Sequence, residues 1–403
     1  MAPIRPTILQ IIPALDTGGA ELSAVEIAQA IVQAGGRALV ATTGGRMAKA
    51  ITTAGGEIIV FPAATKNPAV MLANAHALAG IIRRENVDLV HARSRAPAWS
   101  ALWATRMTNR PFVTTYHGAY SERGPLKRAY NSVMAKGSPV IANSAFTAGL
   151  IRSRYGTQAE NIRVIHRGVD PAAVNPATIA PARLDALRRT LNFAPGQRMI
   201  LHPARLTRWK GQGVVIEAMA RLAARDGPAS AITVFAGSDQ GRSGYSAELQ
   251  RLIATHRLGA SVRLPGHIDD MPAAFALASV AVIASTEPEA FGRTAIEAQM
   301  MGCPVIATRL GAPPETVLAP PDAADDALTG WLIPPGDPAS LADTLSAVLA
   351  LTPDARQALA ARARAHAISN FSLRAMKLAT LRVYDEVLQS RLADTFRTAE
   401  RNE

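Results

Sequence analysis

Residues 285 to 308 read STEPEAFGRTAIEAQMMGCPVIAT, and this stretch decides the fold class. The apolar run before it and the run Val305–Thr308 at its end predict two β-strands. A helix is expected between them, over about Arg293–Met301. Gly302 stands where a glycine commonly ends a helix, and Pro304 prevents the helix from continuing. The stretch therefore predicts a strand-helix-strand unit, the building block of a parallel sheet.

The same alternation of short apolar runs and longer helical patterns repeats along the chain, which is typical of parallel sheets with crossover helices. It predicts an α/β fold of two doubly wound, Rossmann-like domains in series. The strands expected in the first domain are Thr7–Ile12, Ala38–Thr42, Ile58–Phe61, Leu89–His91, Phe112–Tyr116, Val140–Asn143 and Ile162–Ile165. Those expected in the second domain are Met199–Pro203, Ile232–Ala236, Val262–Leu264, Val280–Ala284, Val305–Thr308 and Trp331–Ile333.

A polar, proline-bearing stretch at 170–181 separates the two series and predicts an interdomain linker. The first domain is expected over residues 1–175, the second over 182–371, and a helical tail over 372–403. Ligands bind outside the carboxyl ends of parallel strands, so two such domains facing each other would form a central cleft. The periodicity of the tail leaves open whether it crosses back to the first domain.

The chain has 403 residues and one cysteine, Cys303, so it has no internal disulfide, which suits a reducing compartment. The apolar run near its start is short, contains Pro13 and meets Asp16, which favours a first strand over a signal peptide. No window of about 18 uninterrupted apolar residues predicts a membrane-spanning helix. We therefore expect a cytoplasmic protein, with a peripheral position at the inner face of the cytoplasmic membrane as the alternative.

Most of the net charge of +12 lies in one segment, from about residue 93 to 167. It contains twelve Lys or Arg and two acidic residues, Glu122 and Glu160, which leaves a net charge of +10. A solvated surface, an anionic membrane or acceptor, and a nucleic acid are all compatible with it. No nucleic-acid motif accompanies it, so nucleic acid is not an expected partner. The basic residues are Arg93, Arg95, Arg106, Arg110, Arg123, Lys127, Arg128, Lys136, Arg152, Arg154, Arg163 and Arg167.

The loop at residues 285–292, between the expected strand Val280–Ala284 and the expected helix, can bind phosphate. Free backbone amides and the positive end of the helix dipole meet at a helix N-terminus. Glu289 lies in this loop and Glu297 lies in the helix, so the pair could hold two ends of one elongated ligand. Taken alone, two such glutamates are equally compatible with an ordinary surface.

The stretch resembles the E-x7-E signature of glycosyltransferase family 4, a family of retaining enzymes with the GT-B fold. The signature is Glu289-(seven residues)-Glu297, followed by Met301-Gly-Cys-Pro-Val305. The resemblance implies that Glu289 contacts the donor sugar and that Glu297 accepts hydrogen bonds from the nucleotide ribose. The backbone that would face the sugar and the diphosphate belongs to Phe291, Gly292, Arg293 and Thr294.

A second match is His202-Pro-Ala-Arg205-Leu-Thr-Arg208-Trp-Lys210-Gly211, which resembles the R-x4-K-G segment of the family. The resemblance implies that Arg205 and Lys210 hold the diphosphate, with Arg208 beside them as a helper. Fixed cations at this position would stabilise the negative charge of the departing nucleoside diphosphate. Ile268 falls in the loop that contacts the base in the family.

The first domain resembles the family at two further positions. Gly18-Gly19 corresponds to a glycine-rich loop that approaches the donor phosphate or the acceptor, and paired glycines allow that close approach. His117 corresponds to a histidine that points to the reacting sugar. The segment Val164–Asp170 departs from the family's I-P-N-G-V-D run, since His166-Arg167 replaces Pro-Asn, and this leaves the role of both positions open.

The chain contains no Asp-x-Asp motif and no zinc-type spacing of His and Cys, so neither a metal nor another cofactor is expected. The resemblance implies a retaining transfer of a hexosyl unit from a UDP- or GDP-type sugar, in which Glu289 and His117 orient the sugar. The basic segment and the run Val90–Trp99 resemble enzymes of lipopolysaccharide core assembly, which suggests a glycan or lipid-linked acceptor of the bacterial surface.

Two other functions share part of this pattern. A nucleotide-sugar 2-epimerase has the same two-domain architecture, although the E-x7-E pattern disfavours it. A non-catalytic protein that binds anionic lipid or nucleic acid would use the basic segment alone.

Overall fold

The computed structural model describes residues 5–16, 18–120, 124–194, 196–226, 231–241 and 243–402. The chain divides into two compact units. The first unit comprises Met1–Gly168 and Leu373–Glu403, and the second comprises Val169–Ser372.

Thirteen strands form within the described residues, at all of the positions that the alternating pattern predicts. Their bounds are β1 Thr7–Ile11, β2 Arg37–Thr42, β3 Glu57–Val60, β4 Leu89–Ala92, β5 Phe112–Tyr116, β6 Val140–Ala142, β7 Ile162–Val164, β8 Arg198–His202, β9 Ala231–Ala236, β10 Val262–Gly266, β11 Val280–Ile283, β12 Val305–Thr308 and β13 Trp331–Ile333.

Helices occupy the segments between the strands and the end of the chain. They are α1 Gly19–Gln33, α2 Ala48–Thr53, α3 Pro68–Arg84, α4 Arg95–Thr108, α5 Pro125–Asn131, α6 Ala145–Tyr155, α7 Pro181–Thr190, α8 Gln212–Asp226, α9 Ser243–Thr255, α10 Met271–Leu277, α11 Arg293–Met300, α12 Pro313–Thr316, α13 Pro338–Leu349, α14 Pro353–Phe371, α15 Leu373–Leu388 and α16 Leu392–Asn402.

The first unit is built on a parallel sheet with the strand order β3-β2-β1-β4-β5-β6-β7. Every residue of β1 is buried, because apolar side chains cover the sheet on both faces. The chain reverses direction along the sheet between β1 and β4, and ligands of doubly wound folds bind at such a switch point.

The second unit repeats this plan with the parallel order β10-β9-β8-β11-β12-β13. Its switch point lies between β8 and β11. The two Rossmann-like sheets, one in each unit, confirm the predicted α/β fold class.

The C-terminal helices α15 and α16 belong to the first unit, because they pack against α1. Leu381, Tyr384 and Phe396 are buried in the same core as Ile27 and Ile31 of α1. The tail therefore crosses back to the first unit.

The stretch 170–181, predicted as a linker, lies within the second unit. Val174 and Ile179 pack against the core of that unit, and this packing holds the stretch to it. The boundary therefore falls between Gly168 and Val169, a few residues earlier than the composition indicates.

Among the described residues, no helix has both the length and the apolar character needed to cross a membrane.

Replacement of Leu381 by alanine is expected to lower the free energy of unfolding by about 2–5 kcal/mol, because it leaves a cavity under α1. The neighbouring Arg382→Ala is the matched control, since Arg382 is exposed on the same helix, and it should change stability by less than about 0.5 kcal/mol. Chemical denaturation of the full chain measures both. Equal stability of the two variants would show that the tail does not contribute to the core.

Candidate active site

The loops that follow β8 and β11 contain most of the predicted site residues of the second unit. These two strands are neighbours at the switch point, so their carboxyl ends open at the same place on the sheet edge. The loop after β8 carries Arg205 and Lys210, and the loop after β11 carries Glu289.

Lys210 and Glu289 form an ion pair between Nζ and Oε1. The Ser285 hydroxyl donates to the same carboxylate oxygen at 2.5 Å, and Lys210 Nζ lies 4.1 Å from the centre of the Trp209 ring. The side chains of Lys210 and Glu289 are only 18% and 11% exposed, unlike the surface glutamate that the sequence alone allows. A pair so shielded from water is stable only with good geometry and further hydrogen bonds, and Ser285 supplies one.

Two glycines allow the loops to approach closely enough for this pair to form. Gly211 follows Lys210 with a φ of +78°, and a Cβ there would lie 1.8 Å from the carbonyl oxygen of Ala284. Gly311 has a φ of +88°, and a Cβ there would lie 2.3 Å from the carbonyl oxygen of Glu289. Gly311 also forms an isolated parallel bridge with Glu289. The backbone of Glu289 is thus held by a residue that the sequence analysis did not single out.

Helix α11 begins directly after this loop. Gly292 precedes it with a φ of +82°, in the left-handed region that favours glycine. Arg293 Nε donates to Glu297 Oε1 at 3.0 Å, one turn along the helix. Burial raises the pKa of Glu297, and the Arg293 charge opposes this rise. Thr294 occupies the first turn of α11, and the Phe291 side chain is buried against Phe371 with ring centres 5.9 Å apart.

The remaining predicted residues of this unit differ in exposure. Arg205 is exposed, and its Nη1 donates to Gln240 Oε1 at 3.3 Å, so the guanidinium lies at the surface of the loop. Arg208 is paired with Glu248, and both of these side chains are exposed. The Ile268 side chain is buried in the core, which leaves only its backbone available to a ligand.

In the first unit, Gly18 and Gly19 stand at the start of α1, which follows the loop after β1. His117 follows β5, and its Nδ1 lies 3.0 Å from Arg167 Nη2. Burial lowers the pKa of His117 well below its usual 6.5, and the charges of Arg167 and Arg93 lower it further. The structure therefore brings Arg167, whose role the sequence leaves open, into contact with a predicted site residue.

Two further residues, at the carboxyl end of β4 in the first sheet, are buried. Arg93 is 2% exposed and donates to Ser23 Oγ at 2.6 Å. His91, on β4, lies 2.7 Å from both Tyr384 Oη and Thr115 Oγ1. Its contact with Tyr384 links the sheet to the C-terminal helix α15, which is a structural role.

The basic segment is not one continuous exposed surface. Arg93 is buried, Arg95 stacks 4.1 Å from the centre of the Tyr120 ring, and Arg163 is paired with Glu386. Arg123 and Glu122 lie outside the described residues. The basic side chains of the segment that are exposed among the described residues are those of Arg106, Arg110, Lys127, Arg128, Lys136 and Arg152.

In the described parts of the chain, no group of three or more His, Cys, Asp or Glu side chains is placed to hold a metal ion.

Comparison with known sequences assigns both units. Residues 17–173 match the model of Glycosyltransferase Family 4, and residues 185–366 match that of Glycosyl transferases group 1. A D-inositol 3-phosphate glycosyltransferase of Salinispora arenicola (strain CNS-205) is 31% identical over 337 residues, which cover 77% of this chain and 72% of the relative. This chain belongs to glycosyltransferase family 4. It is a glycosyltransferase, as the E-x7-E pattern indicates.

Solved structures of glycosyltransferases agree with the fold. A glycosyltransferase from Rickettsia africae ESF-5 is 34% identical, with a TM-score of 0.85, 96% of this chain covered and 100% of that one. HepE of Anabaena in complex with UDP-glucose is 26% identical, with a TM-score of 0.81 and 94% and 99% of the two chains covered. WaaG, a glycosyltransferase involved in lipopolysaccharide biosynthesis, is 18% identical with a TM-score of 0.71 and 94% and 99% covered, which shows the fold alone. The predicted GT-B architecture is confirmed.

Replacement of Gly311 by alanine is expected to displace the backbone of Glu289, because the new Cβ would lie 2.3 Å from its carbonyl oxygen. Gly336→Ala is the matched control, since Gly336 also has a positive φ, +71°, but open space around it. The control should lose about 1–2 kcal/mol of stability from backbone conformation alone. We expect Gly311→Ala to lose more, as measured by chemical denaturation, and a smaller loss than the control would contradict the close packing.

Proposed function

We propose that this glycosyltransferase is a retaining, metal-independent enzyme that moves a hexosyl unit from a nucleoside-diphosphate sugar to an acceptor of the bacterial surface. The observation that carries the proposal is the Lys210–Glu289 pair, which lies at the switch point of the second sheet and directly before α11. A shielded cation and a helix N-terminus together suit a diphosphate. The likeness to HepE, which binds UDP-glucose, supports a nucleotide-sugar donor.

In the proposed reaction, the acceptor hydroxyl attacks the anomeric carbon from the face that the diphosphate leaves. The bond between that carbon and the diphosphate oxygen breaks, and the hydroxyl proton passes to the departing diphosphate. Lys210 and Arg205 would stabilise its negative charge, and the free amides before α11 would add to this effect. Glu289 would hold the sugar hydroxyls, and Glu297 would accept hydrogen bonds from the ribose.

Two acceptor classes follow from different observations. The basic segment of the first unit favours an anionic glycan or lipid-linked acceptor, such as the lipopolysaccharide core. The name of the Salinispora relative, a D-inositol 3-phosphate glycosyltransferase, favours a phosphorylated polyol. Both classes carry negative charge. Transfer assays with D-inositol 3-phosphate and with lipopolysaccharide core from a strain that lacks this protein would distinguish them.

The donor can be identified by a thermal-shift screen of UDP, GDP and ADP and of their sugars. A ligand present at about 100 times its Kd should add about 2.7 kcal/mol of stability. The expected result is that one nucleoside diphosphate raises the melting temperature. The sugar conjugates of that nucleotide should raise it by different amounts. No shift with any nucleotide would argue against the donor class.

Lys210→Ala is expected to slow donor hydrolysis and transfer by about 10²–10³-fold, because it removes a fixed cation from the departing diphosphate and leaves Glu289 unpaired. Arg205→Ala should weaken binding of the same diphosphate. The matched control is Arg221→Ala, since Arg221 is exposed on α8 and forms no described side-chain contact. Steady-state kinetics with the donor that the screen selects measure all three, and full activity of Lys210→Ala would exclude the proposed site.

A further inference from the structure

Arg167 occupies a place in the first unit that the family pattern does not assign to a cation. The pattern has Asn where this chain has Arg167, and the structure places the guanidinium between α1 and His117. Its Nη2 lies 3.0 Å from His117 Nδ1. Its Nη1 lies beside Gly19, where a Cβ would come within 2.0 Å of it. The glycine at the start of α1 therefore makes room for the arginine that contacts His117.

This contact determines which nitrogen of the imidazole carries the proton. A guanidinium has five N–H donors and no acceptor, so His117 Nδ1 must be the acceptor of the hydrogen bond. In a neutral ring, the proton then resides on Nε2. The ring is neutral because burial lowers its pKa, and the charges of Arg167 and Arg93 and the nearby His91 act in the same direction.

The other nitrogen is a donor without a protein acceptor. His117 Nε2 is buried and forms no hydrogen bond with any of the described residues. Among the described residues, the charged and titratable groups that act on the ring are Arg167, Arg93, His91 and Tyr120, and none of these four is an anion. Buried donors are almost always hydrogen-bonded in folded proteins, so an oxygen supplied from outside the chain fits this position.

We infer that Arg167 is a positioning residue that holds His117 in the Nε2–H form, so that His117 donates a hydrogen bond to an oxygen of the bound sugar and does not act as a base. The inference rests on the proposed function for the identity of that oxygen. The tautomer itself is a property of the free protein. It follows that this chain uses a cation, absent from the family pattern, to assign a donor role to its histidine.

NMR spectroscopy of the full chain with ¹⁵N-labelled histidine tests the tautomer without any substrate. The His117→Gln variant identifies the His117 signals. We expect the wild-type ring to be the neutral Nε2–H form between about pH 6 and 8. Arg167→Lys should keep this form, since lysine also only donates. Arg167→Met should give a mixture of tautomers. An Nδ1–H ring in the wild type, or no change in Arg167→Met, would overturn the inference.

Hydrolysis of UDP-glucose as a function of pH tests the role of the donor. We expect kcat for the wild type to be level between about pH 6 and 8, since a neutral donor does not titrate there. Arg167→Met removes a positive charge, so the pKa of His117 should rise toward 6.5. Its kcat should then increase as the pH falls toward 6, because the protonated ring carries a proton on Nε2 in every molecule. Its kcat at pH 8 should be about 10-fold lower than that of the wild type, with Arg167→Lys between the two.

Arg221→Met is the control for these variants, because Arg221 is an exposed arginine of α8, outside the basic segment, with no described side-chain contact. It should leave both the NMR signals and the pH profile unchanged. A wild-type kcat that rises with pH as one group loses its proton, and that loses this rise in His117→Gln, would identify His117 as a base and overturn the donor role. Absence of UDP-glucose hydrolysis in the wild type and in every variant would exclude UDP-glucose as the donor, and the NMR measurement of the tautomer would then decide the role of Arg167.

Discussion

The parallel pairing of strands is the constraint on which the Lys210–Glu289 pair and the His117–Arg167 contact both depend. The carboxyl ends of all strands in a parallel sheet lie at the same edge. At the switch point, the order in which the chain adds strands reverses, so the loops after the two central strands lead to opposite sides and leave a crevice between them. Lys210 and Glu289 are 79 residues apart in sequence, yet they meet because β8 and β11 are neighbours at this point. In the first sheet, the loops after β1, β4 and β5 likewise carry Gly19, Arg93 and His117.

The two edges hold their charges in different ways. In the second unit a cation and an anion are paired, and Ser285 adds a hydrogen bond that compensates for the loss of water. In the first unit a cation contacts a neutral ring, and the ring stays neutral because it is buried among positive charges. Lys210 and Glu289 are therefore suited to charge that changes during a reaction, whereas His117 is suited to hold a group in place.

Local periodicity was sufficient to predict the strands, and the candidate site residues came from the resemblance to glycosyltransferase family 4. Strand β12 forms over the predicted residues, because a strand covered on both faces is a continuous apolar run between turn signals. The resemblance implied roles for Glu289, Lys210 and His117, and each of them follows the carboxyl end of a strand. The family membership that these motifs indicated is confirmed by the sequence comparisons.

Contacts over long sequence distances could not be predicted. Gly311 supports Glu289 through a bridge between separate loops, and Arg167 reaches His117 across 50 residues. Neither contact leaves a periodic signal in the sequence. The boundary between the units lies earlier than the polar stretch indicates for a similar reason, since the packing of Val174 against the core of the second unit is a long-range contact.

The return of the C-terminal helices has a consequence for synthesis of the chain on the ribosome. The core around α1 includes Leu381 and Phe396, so the first unit cannot complete its packing until both residues have been synthesised. The second unit is one contiguous segment, and all of it is synthesised before those helices. Since domains fold as units during synthesis, the unit made second would be the first to complete its core. Until then, the apolar surface of α1 that α15 and α16 cover would stay exposed. A chain that lacks these two helices would never cover it.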